Sequence, residues 1–564
     1  MRRTFDEHDI RRCAELDGRW GFVTAEQRED RAALPRSFVD SIQVPSAWEQ
    51  KPGLENYRGK AWYRTTVDGS AGKALRLIFG GVSHTADVYV DGKKVAHHYD
   101  AFTPFDAVVP CKDEGEREVV VAVDNSFGEH SALHIENDYY TYGGLTRPVV
   151  AEWVPPVYID RFFATPRMTG KTWALEVKVR LKNWSTTPLK RKLVCLLDGV
   201  TVNLGSVTVK GKSERVITRT LTELDVDAWT PESPALYELA LSLADGDELV
   251  DDLIDRIGFR QIEVKGKKLL LNGKSLRLRG FNRHEDHPQF GNALPLQALA
   301  HDLELFRDMG CNFLRTSHYP NDERMLDLCD EMGICVWEES HARAVDLKHP
   351  MYKEQITQST IEMLDWHHNH ASIVMWGCLN ECETETPAGA KEHARVLKLI
   401  KKTDPSRPIT FASNRGQMDL AFGYVDIVSL NIYDAWYGGG TENIEPRLKK
   451  MLRWLHSSKS HGGRGKPVII SEFGAGAIYG DRKPNRAKWS EEYQRDVLDE
   501  SLRVYLSHPD VVGAAIWQFC DVRVTDGWWK TRPRTMNNKG IVDEYRRPKL
   551  AYDTVKRRML EAKS

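Results

Sequence analysis

Leu299-Ala-His-Asp-Leu-Glu-Leu-Phe-Arg-Asp-Met309, followed closely by Asn312-Phe-Leu-Arg315, is the stretch that decides the fold. The first segment sets apolar side chains at helical spacing and the second is an apolar run of strand length, so a helix feeds a strand. The same alternation runs on from Gly258-Phe-Arg260. Candidate strands cover 276–281, 312–315, 335–337, 373–376, 408–411, 427–430, 468–470 and 512–517. Eight strands alternating with helices over about 300 residues predict a (β/α)8 TIM barrel. No glycine-rich phosphate loop follows any of them, which argues against a doubly wound sheet.

Such barrels place their chemistry where strands end and loops begin. After the first candidate strand comes Asn282-Arg-His-Glu-Asp286, after the second Thr316-Ser-His318, and after the third Glu338-Glu339. Asn380-Glu381 follows the fourth, Asn431-x-Tyr433-x3-Tyr437 the sixth and Glu472 the seventh, while Trp517 ends the eighth. Glu381 and Glu472 terminate the runs Ile373-Val-Met-Trp-Gly-Cys-Leu-Asn380-Glu381 and Pro467-Val-Ile-Ile-Ser-Glu472. A carboxylate ending a buried strand is costly without a use. Two carboxylates, histidines and aromatic rings at one rim, without metal-ligand spacing or a cofactor loop, are what glycosidic bond hydrolysis requires.

Structural readings compete at each position. Glu381 and Glu472 could be ion-pair partners of Arg283 or Arg315, and His284 and His318 could simply hold rim loops. Tyr433, Tyr437 and Trp517 could be core aromatics. Glu338 and Glu339 also end a strand and compete for the catalytic role.

Upstream of the barrel the periodicity is that of strands. Ala74-Leu-Arg-Leu-Ile-Phe79, Ala86-Asp-Val-Tyr-Val90 and Val119-Val-Val-Ala-Val123 are short runs broken by glycine and proline, and Asp91-Gly92 reads as a type I′ hairpin turn. Residues 1–155 therefore predict a β-sandwich. Residues 156–262 form a second β pattern of immunoglobulin-like size, leaving 263–564 to the barrel.

At 564 residues, 41% hydrophobic and 28% charged, the chain is an ordinary multidomain globular protein. A formal net charge of −2 offers no global field for nucleic acid or membrane as partner. The first residues lack the pattern of a signal peptide and no run is long enough to span a membrane, so a cytoplasmic location is the expectation for the chain as given. Nine scattered cysteines read as buried thiols, and Cys378-x3-Cys382 lacks the partners of a metal site. Neither cofactor nor metal is expected.

Asn282-Arg-His-Glu-Asp286, Arg315-Thr-Ser-His-Tyr-Pro320, Asn380-Glu381 and Ser471-Glu472-Phe-Gly474 resemble the signatures of glycoside hydrolase family 2, over nearly the whole chain. The resemblance implies a sugar-binding jelly roll, an immunoglobulin-like domain and a barrel, in that order. It also implies hydrolysis of β-glycosides with retention, Glu381 acting as acid/base and Glu472 as nucleophile.

Within that family the chain is most similar to β-glucuronidases, through Trp489-Ser-Glu-Glu-Tyr-Gln494, Asn431-x-Tyr433-x3-Tyr437 and the pair Asn537-x-Lys539. In that subgroup the Asn-x-Lys pair binds the substrate carboxylate. The surrounding loop agrees, since Thr525 to Gly540 carries Lys530, Arg532, Arg534 and Lys539 against one acid, Asp526. An ammonium and an amide give a carboxylate charge-assisted hydrogen bonds that a neutral hexose cannot make. The competing reading is a solvated basic loop.

By the same resemblance Asp138 enters the sugar pocket from the jelly roll, His284 and Asn380 touch the sugar, Tyr433 and Tyr437 lie near nucleophile and uronate, and Trp517 floors the pocket. An arginine before the Asn-x-Lys pair is also implied, and spacing leaves Arg534 and Arg532 both open. The partner is thus a β-glucuronide, with β-galacturonide or β-galactoside as the alternative sugar and, as the alternative class, a non-catalytic carbohydrate-binding protein that works through its two β domains. Similar proteins are commonly homo-oligomers, and the edges of the β domains are candidate contacts.

Two departures stand out. Cys382 occupies the position after the acid/base where proline is usual, predicting sensitivity to thiol reagents, and Phe473 replaces a frequent tyrosine. The short stretch from 340 to 366 predicts an open mouth that admits bulky or polymeric leaving groups.

Overall fold

In the computed structural model, residues 2–28 and 33–562 are described. The first module pairs a four-stranded sheet, in the order Cys13–Glu15, Val149–Val154, Ala74–Phe79, Phe105–Pro110, with a six-stranded one. The latter runs Asp40–Val44, Gly18–Thr24, Lys60–Asp68, Glu116–Asp124, Thr85–Val90, Lys93–Tyr99. Their inner faces bury Trp20, Phe22, Tyr63, Leu75, Leu77, Val119 and Val121. The Asp91-Gly92 turn has φ of 49° and 74°, as a type I′ hairpin needs.

The second module is a seven-stranded sandwich. Val157–Thr169, Thr172–Asn183 and Ser213–Leu224 form one sheet, facing Val200–Val209, Leu189–Leu197, Tyr237–Asp245 and Glu248–Ile257 in the other. Arg11 joins the two modules, bonding Asp251 at 2.9 Å and Glu152 at 2.8 Å.

The barrel strands are β1 (Leu278–Arg283), β2 (Phe313–Thr316), β3 (Cys335–Glu339), β4 (Ile373–Gly377), β5 (Ile409–Thr410 and Ala412–Ser413), β6 (Val428–Asn431), β7 (Val468–Phe473) and β8 (Val511–Ile516). All are parallel. The two halves of β5 divide the closure: the first pairs with β4 and the second with β6. Every residue of β4 is buried, because helices cover the sheet outside and side chains fill it inside.

Helices α1 (Leu296–Asp308), α2 (Glu323–Met332), α3 (Tyr352–His367) and α4 (Pro387–Thr403) follow the first four strands. Helices α5 (Ile444–Leu455), α6 (Glu491–Ser507) and α7 (Ala551–Glu561) follow β6, β7 and β8. The link after β5 departs from the ideal repeat. Residues 414–427 are too few for a return helix and make only 3-10 turns, at Gly416–Met418 and Phe422–Tyr424. β1 also starts and ends two residues later than its sequence pattern suggests, which brings Asn282 and Arg283 into the strand.

The first module reaches the barrel mouth through the segment around Asp138. Asn137 N donates to Thr525 Oγ1 at 3.0 Å, and Thr525 Oγ1 donates back to Asn137 O at 2.7 Å. Arg147, from the same region, donates to Glu285 at 2.9 Å. These contacts fix a loop of a β domain over the ends of barrel strands.

Candidate active site

A cavity of about 800 Å³ opens at the C-terminal ends of the strands, lined among others by Asp138, His318, Arg343, Glu381, Tyr433, Tyr437, Glu472, Trp517 and Lys539. Seven of the eleven residues singled out from the sequence line it, and Asn380 and Asn537 support it through hydrogen bonds.

Glu381 follows β4 on a strained backbone. Its φ is 52° and that of Leu379 is 54°, the left-handed region that non-glycine residues occupy at a cost of order 1–3 kcal/mol. Its N–H donates to Ala412 O at 3.0 Å, which ties the turn to β5. Close packing below the turn is equally specific, since a Cβ on Gly377 would lie 2.0 Å from Trp337 Nε1. Glu381 Oε1 accepts from Asn431 Nδ2 at 2.9 Å, and Oε2 lies 3.8 Å from Arg343 Nη2.

Glu472 sits inside β7, 3% exposed. Its Oε1 accepts from Arg315 Nη1 at 2.9 Å and its Oε2 from the Tyr433 hydroxyl at 2.8 Å. Burial first, and the negative charge of Glu381 second, push its carboxyl up to about 7 against the pull of Arg315 and Tyr433. Asn380 Oδ1 accepts from Arg315 Nη2 at 3.0 Å, leaving its buried Nδ2 without a protein partner.

The ion-pair reading of the sequence is thus half realised: Glu472 does pair with Arg315, while Arg283 pairs with Asp302 at 2.8 Å. Glu338 and Glu339 are withdrawn from the cavity. Glu338 bonds His367 at 3.0 Å and Glu339 grips Arg315 through Oε1 at 2.8 Å and Oε2 at 3.0 Å.

At the other end of the cavity Lys539 is 3% exposed, 5.7 Å from the Trp436 ring centroid and 5.8 Å from that of Tyr437. Burial, with Arg532 nearby, lowers its ammonium to about 8. Asn537 Oδ1 accepts from Lys539 Nζ at 3.4 Å and its Nδ2 donates to Asp138 Oδ2 at 3.2 Å. Asp138 also lies 3.3 Å from Arg343 and accepts from Arg532 at 3.2 Å. Burial opposes its charge, but Arg343, Lys539 and Arg532 hold its carboxyl well below the usual range. Asn537 to Gly540 are therefore buried, whereas the turn before them, with Lys530 and Arg534, is exposed as the solvated-loop reading expects.

Arg534 is not brought to the site. Its guanidinium pairs with Glu544, its own φ of 61° having turned it outward, and Arg532 is the arginine that reaches Asp138. His284 stands behind the wall, bonded to Tyr319 at 3.2 Å and edge-on to Trp517 at 5.4 Å. His318 lines the cavity instead, stacked on Trp517 at 5.0 Å. Burial lowers both imidazoles, keeping them neutral. The stretch from Trp489 to Gln494 acts at a distance: Ser490 caps α6 and Gln494 Nε2 donates to Gly540 O at 2.9 Å, holding the lysine loop.

Arg343 is the main residue the sequence did not disclose, and no periodicity or motif could have marked it. Cys382 corrects a second expectation. It is 2% exposed, burial pushes its thiol up to about 12, and Sγ bonds Asn380 O at 3.6 Å, so it is not a reactive thiol.

Comparison with known proteins agrees along the whole chain. Residues 13–155 match the family model for the sugar binding domain of glycosyl hydrolases family 2, residues 157–260 the model described as glycosyl hydrolases family 2, and residues 262–563 the model for its TIM barrel domain. The β-glucuronidase of Streptococcus agalactiae is 28% identical over 98% of this chain and 96% of its own length. Among solved structures, the β-galacturonidase from Eisenbergiella tayi bound to galacturonate is 45% identical, with a TM-score of 0.93 over 100% of this chain and 99% of that one. The β-D-glucuronidase of Dictyoglomus thermophilum is 27% identical, with a TM-score of 0.84 over 99% and 98%. With two carboxyls facing one cavity at the mouth of the barrel, the chain belongs to glycosyl hydrolases family 2 and is a glycoside hydrolase.

Proposed function

We propose that the protein is a retaining, exo-acting β-uronidase. The observation that carries this reading is Lys539, a buried ammonium facing the cavity that also holds Glu381 and Glu472. Paired with Asn537, it offers a sugar carboxylate charge-assisted hydrogen bonds, and a neutral hexose would leave the ammonium unpaired.

Glu381 donates its proton to the glycosidic oxygen while a Glu472 oxygen attacks the anomeric carbon. The C1–O bond breaks, the alcohol leaves with the proton, and the sugar remains as an ester of Glu472. Water then attacks C1, Glu381 takes a proton from it, and the Glu472 carboxylate is released. Asn380 Nδ2, buried and unpartnered, is suited to a ring hydroxyl, and His318 and Trp517 supply the flat wall.

Two sugars fit this description. Curated relatives named β-glucuronidases support β-D-glucuronide. The greater similarity to a structure bound to galacturonate favours β-D-galacturonide, which we put first. Kinetics on 4-nitrophenyl β-D-galacturonide, glucuronide, galactoside and glucoside test the reading, with NMR of the first-formed anomer. Uronides should be cleaved far faster than the neutral pair, releasing the β-anomer first. Equal rates on galactoside and galacturonide, or an α-anomer product, would overturn it.

A further inference from the structure

The cavity is larger than one sugar needs. Pockets of about 300–1,000 Å³ hold whole drug-sized ligands, and this one is about 800 Å³. Lys539 and Asp138 mark its sugar end. Beyond Glu381 it continues along Ser413, Asn414 and Gln417, which follow β5, to Arg447, Lys450 and Met451 on α5. This end adjoins the proton donor: Arg415 Nη2 donates to Glu381 O at 3.2 Å and Glu381 N is tied to Ala412. Met451 Cε would meet a Cβ on Gly416 at 3.2 Å, so α5 closes directly on the loop after β5.

The charges there are not balanced. Arg447 is taken by Asp434, Nη1 to Oδ1 at 2.6 Å, and Asp434 is the lining acid on this side. Glu445 is taken by Lys449 and Arg503. Lys450 has no ion pair or hydrogen bond among the described residues and is exposed to the cavity. Among the described residues Lys450 therefore remains a free cation in the cavity that Asn414 and Gln417 also line.

We propose that this end is a leaving-group subsite for a carboxylate-bearing sugar, Lys450 pairing with its carboxylate, so that the substrate is an acidic oligosaccharide with a uronate on both sides of the scissile bond. The proposal rests on the uronidase reading and on Glu381 as the proton donor. Matched β-uronosyl disaccharides test it, one with a uronate and one with a neutral sugar as the leaving residue, alongside the aryl uronide.

The wild-type enzyme should favour the acidic leaving sugar by about tenfold in kcat/KM at low salt, less as salt screens the pair. Lys450→Ala should lower that ratio about threefold and Lys450→Glu about tenfold, through KM. Any loss common to both disaccharides cancels in the ratio. A wild-type ratio of one, or a ratio that Lys450→Glu does not move, overturns the subsite while aryl uronide cleavage keeps the underlying activity. No cleavage of any uronide overturns the activity itself.

Discussion

Arg315 donates to Glu472 at 2.9 Å, and this contact makes the two active-site carboxyls unequal. Glu381 has its cation, Arg343, at 3.8 Å and otherwise an amide, Asn431. Glu472 is buried and Glu381 part-exposed on the same cavity, so the negative charge of Glu381 disfavours ionisation of Glu472. The elevated value of Glu472 includes the charge of Glu381. Arg315 and Tyr433 favour the charged form of Glu472, the form the proposed retaining mechanism asks of its nucleophile.

Chemical rescue separates the two roles. Glu472→Gly should lose activity by roughly 10⁴-fold, and azide should restore turnover with a glycosyl azide of inverted configuration. Glu381→Ala should lose less on an activated aryl leaving group, about 10²-fold, and azide should give the retained product. Swapped products would reverse the assignment.

Tyr433→Phe tests the pH dependence. The tyrosine hydroxyl donates to the Glu472 carboxylate and lowers its pKa, so its removal raises that pKa further. The nucleophile must be ionised, and the acid limb of kcat/KM should therefore move to higher pH, by about half to one unit. A limb that stays in place would mean another group sets it.

Much of this site was legible because it lies at strand ends. Apolar runs of strand length set the register of the barrel, and Asn380, Glu381 and Glu472 follow from where those runs stop. Contacts that cross the fold were not legible. Arg343 stands in an irregular loop after β3, beside Ala344 with φ of 51°, and meets Asp138 from another domain. Arg532 and Arg534 lie two residues apart, and spacing does not say that Arg532 reaches Asp138 while Arg534, with φ of 61°, pairs with Glu544. The link after β5 carries no α-helix because it is short, and it folds into 3-10 turns instead.

Cys382→Ser should leave kcat/KM within about twofold, and the native enzyme should resist iodoacetamide, because a thiol with a pKa of about 12 in a closed site is not a nucleophile at neutral pH. Rapid inactivation with one label on Cys382 would contradict the packing around Asn380.

Lys539 should govern both substrate choice and the alkaline limb. Lys539→Ala removes charge-assisted hydrogen bonds worth about 1.5–3 kcal/mol, so aryl uronide kcat/KM should fall about 10- to 100-fold while aryl galactoside turnover changes little. The ammonium is the charged form and is lost as pH rises past about 8. Uronide kcat/KM should fall through that region by a step that neutral glycosides lack. Asp138 raises the lysine pKa, so Asp138→Asn lowers it and should shift the step to lower pH. Because Asp138 also offsets Arg343 and Arg532, the same variant should lose thermal stability, and removing one of the unpaired cations by a compensating Arg532→Met should recover part of it. A uronide profile identical to that of the galactoside, in both the wild type and Asp138→Asn, would remove Lys539 from carboxylate recognition.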